Sequence, residues 1–153
     1  MESYHFKLFE SFSDLSADQW EPLQDPNYPF LDYSFLRCLE ETDCLGERTG
    51  WFPQIYTVWC KDRLVGVLPA FVKSNSYGEY IFDWDWAYAY RQLGLPYYPK
   101  LVVAVPFTPT TGPRWLCHHD FESKSISAML IDHLIHQRRP CGQLLKSSSV
   151  ISR

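Results

Sequence analysis

Two apolar segments joined by a short polar connection constrain the fold of this 153-residue chain more than any other feature. The first covers residues 54–60 and the second residues 64–72, and both are rich in the β-branched and aromatic side chains that favour strands. Lys61-Asp62-Arg63 lies between them. The pattern therefore predicts two adjacent strands that pair as a β-hairpin.

The remaining periodicity predicts both strands and helices, and so an α/β fold. Residues 4–9 alternate as a strand does, and residues 100–105 form the clearest candidate for a buried strand. A helix start is predicted at Ser13, whose hydroxyl can accept a hydrogen bond from the backbone of the next turn. Further helices are predicted over residues 32–41, 84–93 and 121–136.

Composition indicates a globular protein and argues against several functional classes. Hydrophobic residues make up 46% of the chain and aromatic residues 17%, which favours a packed core over disorder. The net charge of −4, without a basic stripe, argues against a dedicated nucleic-acid-binding surface, and we expect no DNA partner. The five cysteines lack CxxC spacing, and the sequence shows no signal peptide and no apolar run of about 18 residues. We therefore expect a cytoplasmic protein that does not insert into membranes.

The candidate functional residues lie in an aromatic and proline-rich run over residues 76–114. Aromatic faces with a few polar groups suit a small-molecule or sugar-like ligand, but they suit an ordinary core equally well. Asp83 and Asp85 flank Trp84 and could act as acid and base if burial separates their pKa values. Alternatively, these carboxylates face a ligand, or they cap the helix that begins near Trp84.

Cationic side chains in the same run predict contacts with an anionic ligand. Arg91 and Lys100 lie among tyrosines, which would suit a phosphorylated or carboxylated substrate through forked hydrogen bonds and stacking. Arg114 follows residues 100–105 in a glycine-containing loop that could also present amides to an anion. The alternative is that these are plain proline turns and that the tyrosines cover the core. The tyrosines concerned are Tyr88, Tyr90, Tyr97 and Tyr98.

Residue types that bind metals occur in two places, the segment Cys117-His118-His119-Asp120 and the pair His133 and His136. Adjacent histidines do not easily converge on one ion, and no second Cys/His pair lies at zinc-site spacing. His133 falls within an apolar helical stripe, where a core histidine is the more usual interpretation. The sequence therefore predicts no metal site.

Three stretches of the chain resemble one protein family. They lie within residues 27–51, 69–84 and 97–114, and they contain the strings NYPFL, PAFVKSNSYGEYIFDW, YYPKL, VPFTP and GPR. These strings resemble the Fem-like group of bacterial proteins in the acetyltransferase-like (GNAT) superfamily, described as peptidoglycan biosynthesis or recognition proteins. The resemblance extends over most of residues 4–136.

The resemblance implies an acetyltransferase-like, GNAT-type mixed sheet flanked by helices, present as an incomplete N-terminal lobe over residues 1–136. The resemblance implies that members of the family are two-lobed proteins, each more than twice as long as this chain. Residues 137–153 do not resemble the family's continuation, and we expect them to form a divergent, flexible tail. An uncovered lobe interface would favour self-association.

The resemblance also implies the transfer of an acyl or aminoacyl group from acyl-CoA or aminoacyl-tRNA to a muropeptide-like acceptor, with no permanently bound cofactor. We expect this portion to be weak or inactive alone. The alternative is a non-catalytic module that recognises a cell-wall precursor or sugar-peptide. Asp83 and Asp85 are the candidate catalytic residues. The candidate substrate-binding residues are Trp84, Tyr90, Arg91, Tyr97, Tyr98, Lys100 and Arg114.

Overall fold

The hairpin predicted from the sequence lies at the centre of the fold. In the computed structural model, which describes residues 3–79 and 82–137, strands β2 (Trp51–Cys60) and β3 (Arg63–Lys73) pair antiparallel. The turn between them is Lys61-Asp62, and Lys61 adopts a left-handed φ of 55°. Nearly every residue of the two strands is buried. The hairpin prediction is confirmed.

Three shorter strands complete a five-stranded sheet. β1 pairs with β2, whereas β4 and β5 pair with different parts of β3. Every pairing in the described residues is antiparallel, which corrects the expectation of a mixed sheet. The connections are the physical reason: the chain reverses its direction between each strand and the strand with which it pairs. The strands are β1 (Tyr4–Phe9), β4 (Lys100–Val102) and β5 (Leu116–Cys117).

The strand predicted over residues 100–105 is shorter than expected. β4 ends at Val102, where it pairs with Phe71. Val105 is nevertheless buried. An apolar run indicates that its residues are buried. It does not indicate over how many of those residues a neighbouring strand supplies backbone hydrogen-bonding partners. For the same reason the two-residue strand β5 was not predicted.

Four α-helices occur in the described residues, and the first begins later than predicted. Ser16, rather than Ser13, caps it. The Ser16 hydroxyl accepts from the Gln19 amide at 3.3 Å, and the Gln19 side chain accepts from the Ser16 amide at 3.0 Å. This reciprocal capping box satisfies two otherwise free donors. The helices are α1 (Ala17–Trp20), α2 (Tyr33–Glu41), α3 (Trp84–Gln92) and α4 (Ser123–His136), with 3₁₀ segments at Phe12–Asp14, Glu21–Leu23 and Pro29–Leu31.

Two cores cover opposite faces of the sheet, because alternate residues of a strand point to opposite sides. One core joins the sheet to α1 and α2, and Trp20 and Phe71 are fully buried in it. The other joins the sheet to α4 through Ile126 and Leu130. A Cβ atom on Gly66 would lie 2.3 Å from Ile126 Cγ2, so only glycine lets α4 pack this closely on β3.

The helices of residues 3–79 and 82–137 are too short or too polar for any of them to cross a bilayer.

Candidate functional site

A cleft of about 600 Å³ lies beside α3. Its walls come from the loop that follows β3, from one side of α3, and from the segment that leads to β4. Gly94, with a left-handed φ of 69°, ends α3 and turns the chain toward that segment. The lining residues are Ser74, Asn75, Ser76, Tyr77, Trp84, Ala87, Arg91, Leu95, Pro96, Tyr97 and Tyr98.

A network of polar side chains adjoins this cleft, and we call it the polar floor (Ser76, Glu79, Asp83, Tyr98 and Lys100). Ser76 and Tyr98 line the cleft themselves, and the other three join the network through Asp83 and Lys100. The Asp83 carboxylate is its centre. One carboxylate oxygen accepts from Ser76 Oγ at 2.9 Å and from the Tyr98 hydroxyl at 2.6 Å. The other oxygen accepts from Lys100 Nζ, which also lies 3.0 Å from Glu79 Oε1.

These contacts fix the charge states of the polar floor. Burial alone would raise the pKa of Asp83, but hydrogen bonds from Lys100, Tyr98 and Ser76 outweigh it and hold that pKa well below its usual range. Burial opposes the charge of Lys100, yet its two carboxylate partners raise its pKa. Burial and the hydrogen bond to Asp83 raise the pKa of Tyr98 to about 12. At neutral pH, Asp83 is therefore an ionised, weakly basic acceptor, and Tyr98 keeps its proton.

Lys73 is a buried cation behind the cleft that the sequence analysis did not single out as a site residue. Its Nζ donates to the carbonyl oxygens of Thr49 and Tyr77 and lies 4.6 Å from the centre of the Trp51 ring. Burial lowers the pKa of Lys73 to about 8. The ammonium group thus ties the loop that carries Ser76 to the loop before β2. The sequence offered one signal for Lys73, its position as a charged residue at the end of a predicted apolar strand.

The sequence model of one family matches residues 11–150 of the chain, and that family is FemAB-like, described as peptidoglycan biosynthesis/recognition. The chain belongs to this family. Membership confirms the predicted resemblance and implies a role in peptidoglycan biosynthesis or recognition. No curated protein and no solved structure matches the chain significantly.

The family match extends past His136 into the tail. Of the tail predicted over residues 137–153, all but residue 137 lies outside the described residues. The domain boundary near His136 and the divergent tail stay predictions.

In this FemAB-like chain, Asp83 and Asp85 have different surroundings. Asp83 precedes the first residue of α3, but its side chain makes no capping hydrogen bond. It turns instead toward Lys100 and Tyr98, so the capping interpretation is wrong for Asp83. Asp85 is exposed in the first turn of α3 and is absent from the cleft lining and the polar floor. The two carboxylates therefore do not form one pair.

Six of the seven predicted binding residues line the cleft or contact residues that line it. Trp84, Arg91, Tyr97 and Tyr98 line the cleft. Lys100 belongs to the polar floor, whereas Tyr90 packs edge-on against Tyr97 with ring centres 5.0 Å apart. The aromatic run thus brings most of the predicted binding residues to one place.

Arg114 lies in a different environment. Its guanidinium donates to the Tyr28 hydroxyl at 3.2 Å and to the Thr110 carbonyl at 2.6 Å, and it also donates to the carbonyls of Gly112 and Pro113. A Cβ atom on Gly112 would lie 2.2 Å from the Tyr28 ring, which fixes this loop closely against that tyrosine. Arg114 therefore holds its own loop together and is not among the residues that line the cleft.

Two members of the polar floor, Ser76 and Glu79, were not among the predicted site residues. Both lie in the loop between β3 and α3, and Ser76 and the Glu79 side chain are largely buried. Glu79 Oε1 makes no well-oriented hydrogen bond among the described residues, although Lys100 Nζ lies 3.0 Å away. Glu79 nevertheless shares the ammonium group of Lys100 with Asp83, because at this distance their attraction does not require ideal alignment. Only the four-residue spacing from Glu79 to Asp83 gave a signal in the sequence.

Proposed function

We propose that the cleft beside α3 recognises a muropeptide-like cell-wall precursor. The observation that carries this proposal is the position of Arg91 at the cleft. Among the described residues, no hydrogen bond or ion pair engages its guanidinium. A forked guanidinium at an aromatic cleft suits the carboxylate or phosphate of such a precursor.

The charge balance of the polar floor supports Arg91 as the anion contact. Lys100 lies between Asp83 and Glu79, so its positive charge is already matched. Lys73 is fully buried and donates to backbone carbonyls. An incoming anion would therefore meet a floor with one excess negative charge, where the only cation is already paired, and a guanidinium at Arg91 that has no ion-pair partner among the described residues.

The aromatic walls give the cleft its second property. Trp84 and Tyr77 are 57% and 72% exposed, so their ring faces are available to a ligand. Rings of this kind bind apolar faces of sugars and peptides by stacking, while a few polar groups set the orientation. The combination fits a sugar-peptide that carries an acidic group.

Thermal unfolding with and without a UDP-linked muropeptide tests the proposal. A ligand that binds only the folded protein stabilises it, by about 2.7 kcal/mol at 100 times its dissociation constant. We expect the muropeptide to raise the midpoint of the wild-type protein and of Lys124→Gln, which removes an exposed cation from α4. Arg91→Gln should lose at least half of that increase.

A muropeptide that leaves the wild-type midpoint unchanged at millimolar concentration would overturn the proposal. So would an increase that Arg91→Gln retains in full. Because Lys124→Gln changes the net charge by the same amount, its comparison with Arg91→Gln separates a specific contact from long-range attraction.

Acyl or aminoacyl transfer to such an acceptor is the second candidate function, with acyl-CoA or aminoacyl-tRNA as donor. The position of the Tyr98 and Ser76 hydroxyls at the cleft favours it, and Tyr98 retains its proton. To stabilise the oxyanion that forms during transfer, a hydroxyl would have to exchange its hydrogen bond to Asp83 for one to that oxygen. Asp83, however, is a weak base, which supports the expectation that the chain alone is weak or inactive.

The donors distinguish the two candidates. A midpoint raised by acetyl-CoA or charged tRNA, together with product formation, would favour transfer, and a midpoint raised by the muropeptide alone would favour recognition. An acetyltransferase-like arrangement of the sheet, implied by the resemblance, and a cytoplasmic setting, expected from the composition, belong to the same proposal.

A further inference from the structure

A turn that follows β5, near the first residues of β3, gathers three metal-binding side chains. One potential ligand atom from each of His118, His119 and Asp120 lies within 4.8 Å of the others. The sequence predicts no metal site here, because adjacent histidines do not easily converge on one ion. In the structure, however, the two rings lie side by side.

The turn explains why the two imidazoles lie next to each other. The His118 amide donates to the Val65 carbonyl at 2.9 Å, which fixes the start of the turn on β3, and the Phe121 amide donates to the His118 carbonyl at 3.0 Å, which closes it. The chain reverses between these two bonds, so neighbouring side chains stay on one side. The rings of His118 and His119 stack with centres 4.5 Å apart and planes inclined by 22°.

Two of the three distances between ligand atoms are close to those around a single ion. His119 Nε2 lies 3.2 Å from Asp120 Oδ1, and His118 Nδ1 lies 3.7 Å from Asp120 Oδ2. Two ligands of a tetrahedral ion, each bonded at about 2.1 Å, are separated by about 3.4 Å. The exposed His119 ring would have to turn out of its stack with His118, so that the in-plane lone pairs of both rings point to one ion.

We propose that His118, His119 and Asp120 bind a divalent transition-metal ion such as Zn²⁺ or Ni²⁺, with water in the remaining positions. A set of imidazole and carboxylate ligands suits these transition-metal ions better than it suits Mg²⁺ or Ca²⁺, because Mg²⁺ and Ca²⁺ prefer ligands that are all oxygen atoms. His118 is buried and packs edge-on against Phe121, so one ligand is held in place before binding. His119 and Asp120 are exposed, which leaves the site open to an ion from solution.

Two existing contacts compete with the ion. The Asp120 amide donates to His118 Nδ1 at 3.2 Å, a long hydrogen bond that metal binding replaces. Arg63 Nη1 lies 3.0 Å from Asp120 Oδ2 and brings a positive charge next to the site. Both partners of this ion pair are about half exposed, so it is weak and can yield to an ion.

Arg63 makes a sharp test possible, because its removal should strengthen binding while loss of a ligand weakens it. Titration calorimetry of the tag-free chain with ZnCl₂ at pH 7 would measure both effects. We expect one Zn²⁺ per chain in the wild type, an affinity at least about tenfold lower in His119→Gln and Asp120→Asn, and a higher affinity in Arg63→Gln. His136→Gln is the matched control, because His136 Nδ1 also lies 3.2 Å from a carboxylate, that of Asp132, and the described residues offer no third ligand there.

The proposal would be overturned by a wild-type chain that binds no Zn²⁺ and no Ni²⁺ in the micromolar range. It would equally be overturned if His119→Gln bound as well as the wild type, or if His136→Gln lost as much affinity as His119→Gln. Unchanged or weaker binding by Arg63→Gln would contradict the proposed role of Asp120. Circular dichroism of each variant verifies that the chain is folded.

Discussion

The β2–β3 hairpin and helix α3 are both rich in aromatic side chains, but the hairpin buries most of its aromatic rings whereas α3 exposes them. Trp51 and Phe71 in the hairpin are 2% and 0% exposed. Trp84 and Trp86 in α3 are 57% and 66% exposed, and every residue of this helix is exposed or half-buried. Aromatic content therefore does not decide whether a segment builds a core or a surface.

Packing partners account for the difference. The hairpin is covered by α1 and α2 on one face and by α4 on the other, so each face of its strands contacts apolar side chains. α3 begins beside the polar floor and presents its rings to the cleft and to solvent. A contiguous set of exposed aromatics is typical of an interaction surface.

Truncation of one aromatic in each region should show the largest contrast. Phe71→Ala removes a fully buried ring that contacts Phe12 and Trp51, and we expect it to lower the free energy of unfolding by about 4 kcal/mol. Trp86→Ala removes a ring that is mostly in water, and we expect a change within about 0.5 kcal/mol. Urea unfolding with unchanged slopes would measure both. Equal losses in the two variants would show that α3 is packed more tightly than its exposure indicates.

The two carboxylates at the start of α3 sharpen the same comparison. Asp83→Asn leaves Lys100 with one partner instead of two and weakens the bonds from Tyr98 and Ser76, so we expect a loss of about 3 kcal/mol at pH 7. Asp85→Asn removes only a favourable charge near a helix N-terminus, worth at most about 1 kcal/mol.

Acidification provides the control for Asp83. Because its folded pKa lies below the unfolded value, its stabilisation is present above that unfolded value, about 3.9, and is lost as the pH falls toward the folded pKa. The wild type and Asp83→Asn should therefore converge in stability below about pH 4. A difference that stays constant down to pH 2 would contradict the ionic role of Asp83.

The sequence predicted what local pattern determines and missed what long-range contacts determine. The hairpin and α3 follow from residue type and from Gly94, so their bounds were close. The side chain of Asp83 was harder to place, because its position before a helix favours capping, while Lys100, seventeen residues away in the chain, offers a stronger partner.

The cleft was predicted more fully than its floor. The aromatic run marked Trp84, Arg91 and Tyr98 directly, since their residue types suit ligand binding. Ser76 is an ordinary loop residue in sequence, and it joins the site only because the chain folds Tyr98 and Asp83 against it.

The smallest expected effect, and the most specific test, concerns Lys73, which lies between the hairpin and the cleft. Its ammonium group sits over Trp51 of the hairpin and donates to Tyr77 at the cleft. Its pKa is about 8 in the folded protein and about 10.4 in an unfolded chain, so between these values the unfolded chain binds the proton that the folded chain has released. The stability of the folded state should therefore rise with pH through this window, by at most about 1.4 kcal/mol per pH unit for one proton.

Lys73→Met should remove this increase, and Lys124→Met, at an exposed position of α4, should retain it. Cys117, whose pKa burial raises, titrates in the opposite sense, but it does so in all three proteins and cancels in their differences. Urea unfolding at pH 8, 9 and 10 would give those differences directly. The wild type and Lys73→Met could instead keep a constant difference in their free energies of unfolding from pH 8 to pH 10. Lys73 would then be charged throughout this range. The link between hairpin and cleft would be a permanent cation, and not one that releases its proton near pH 8.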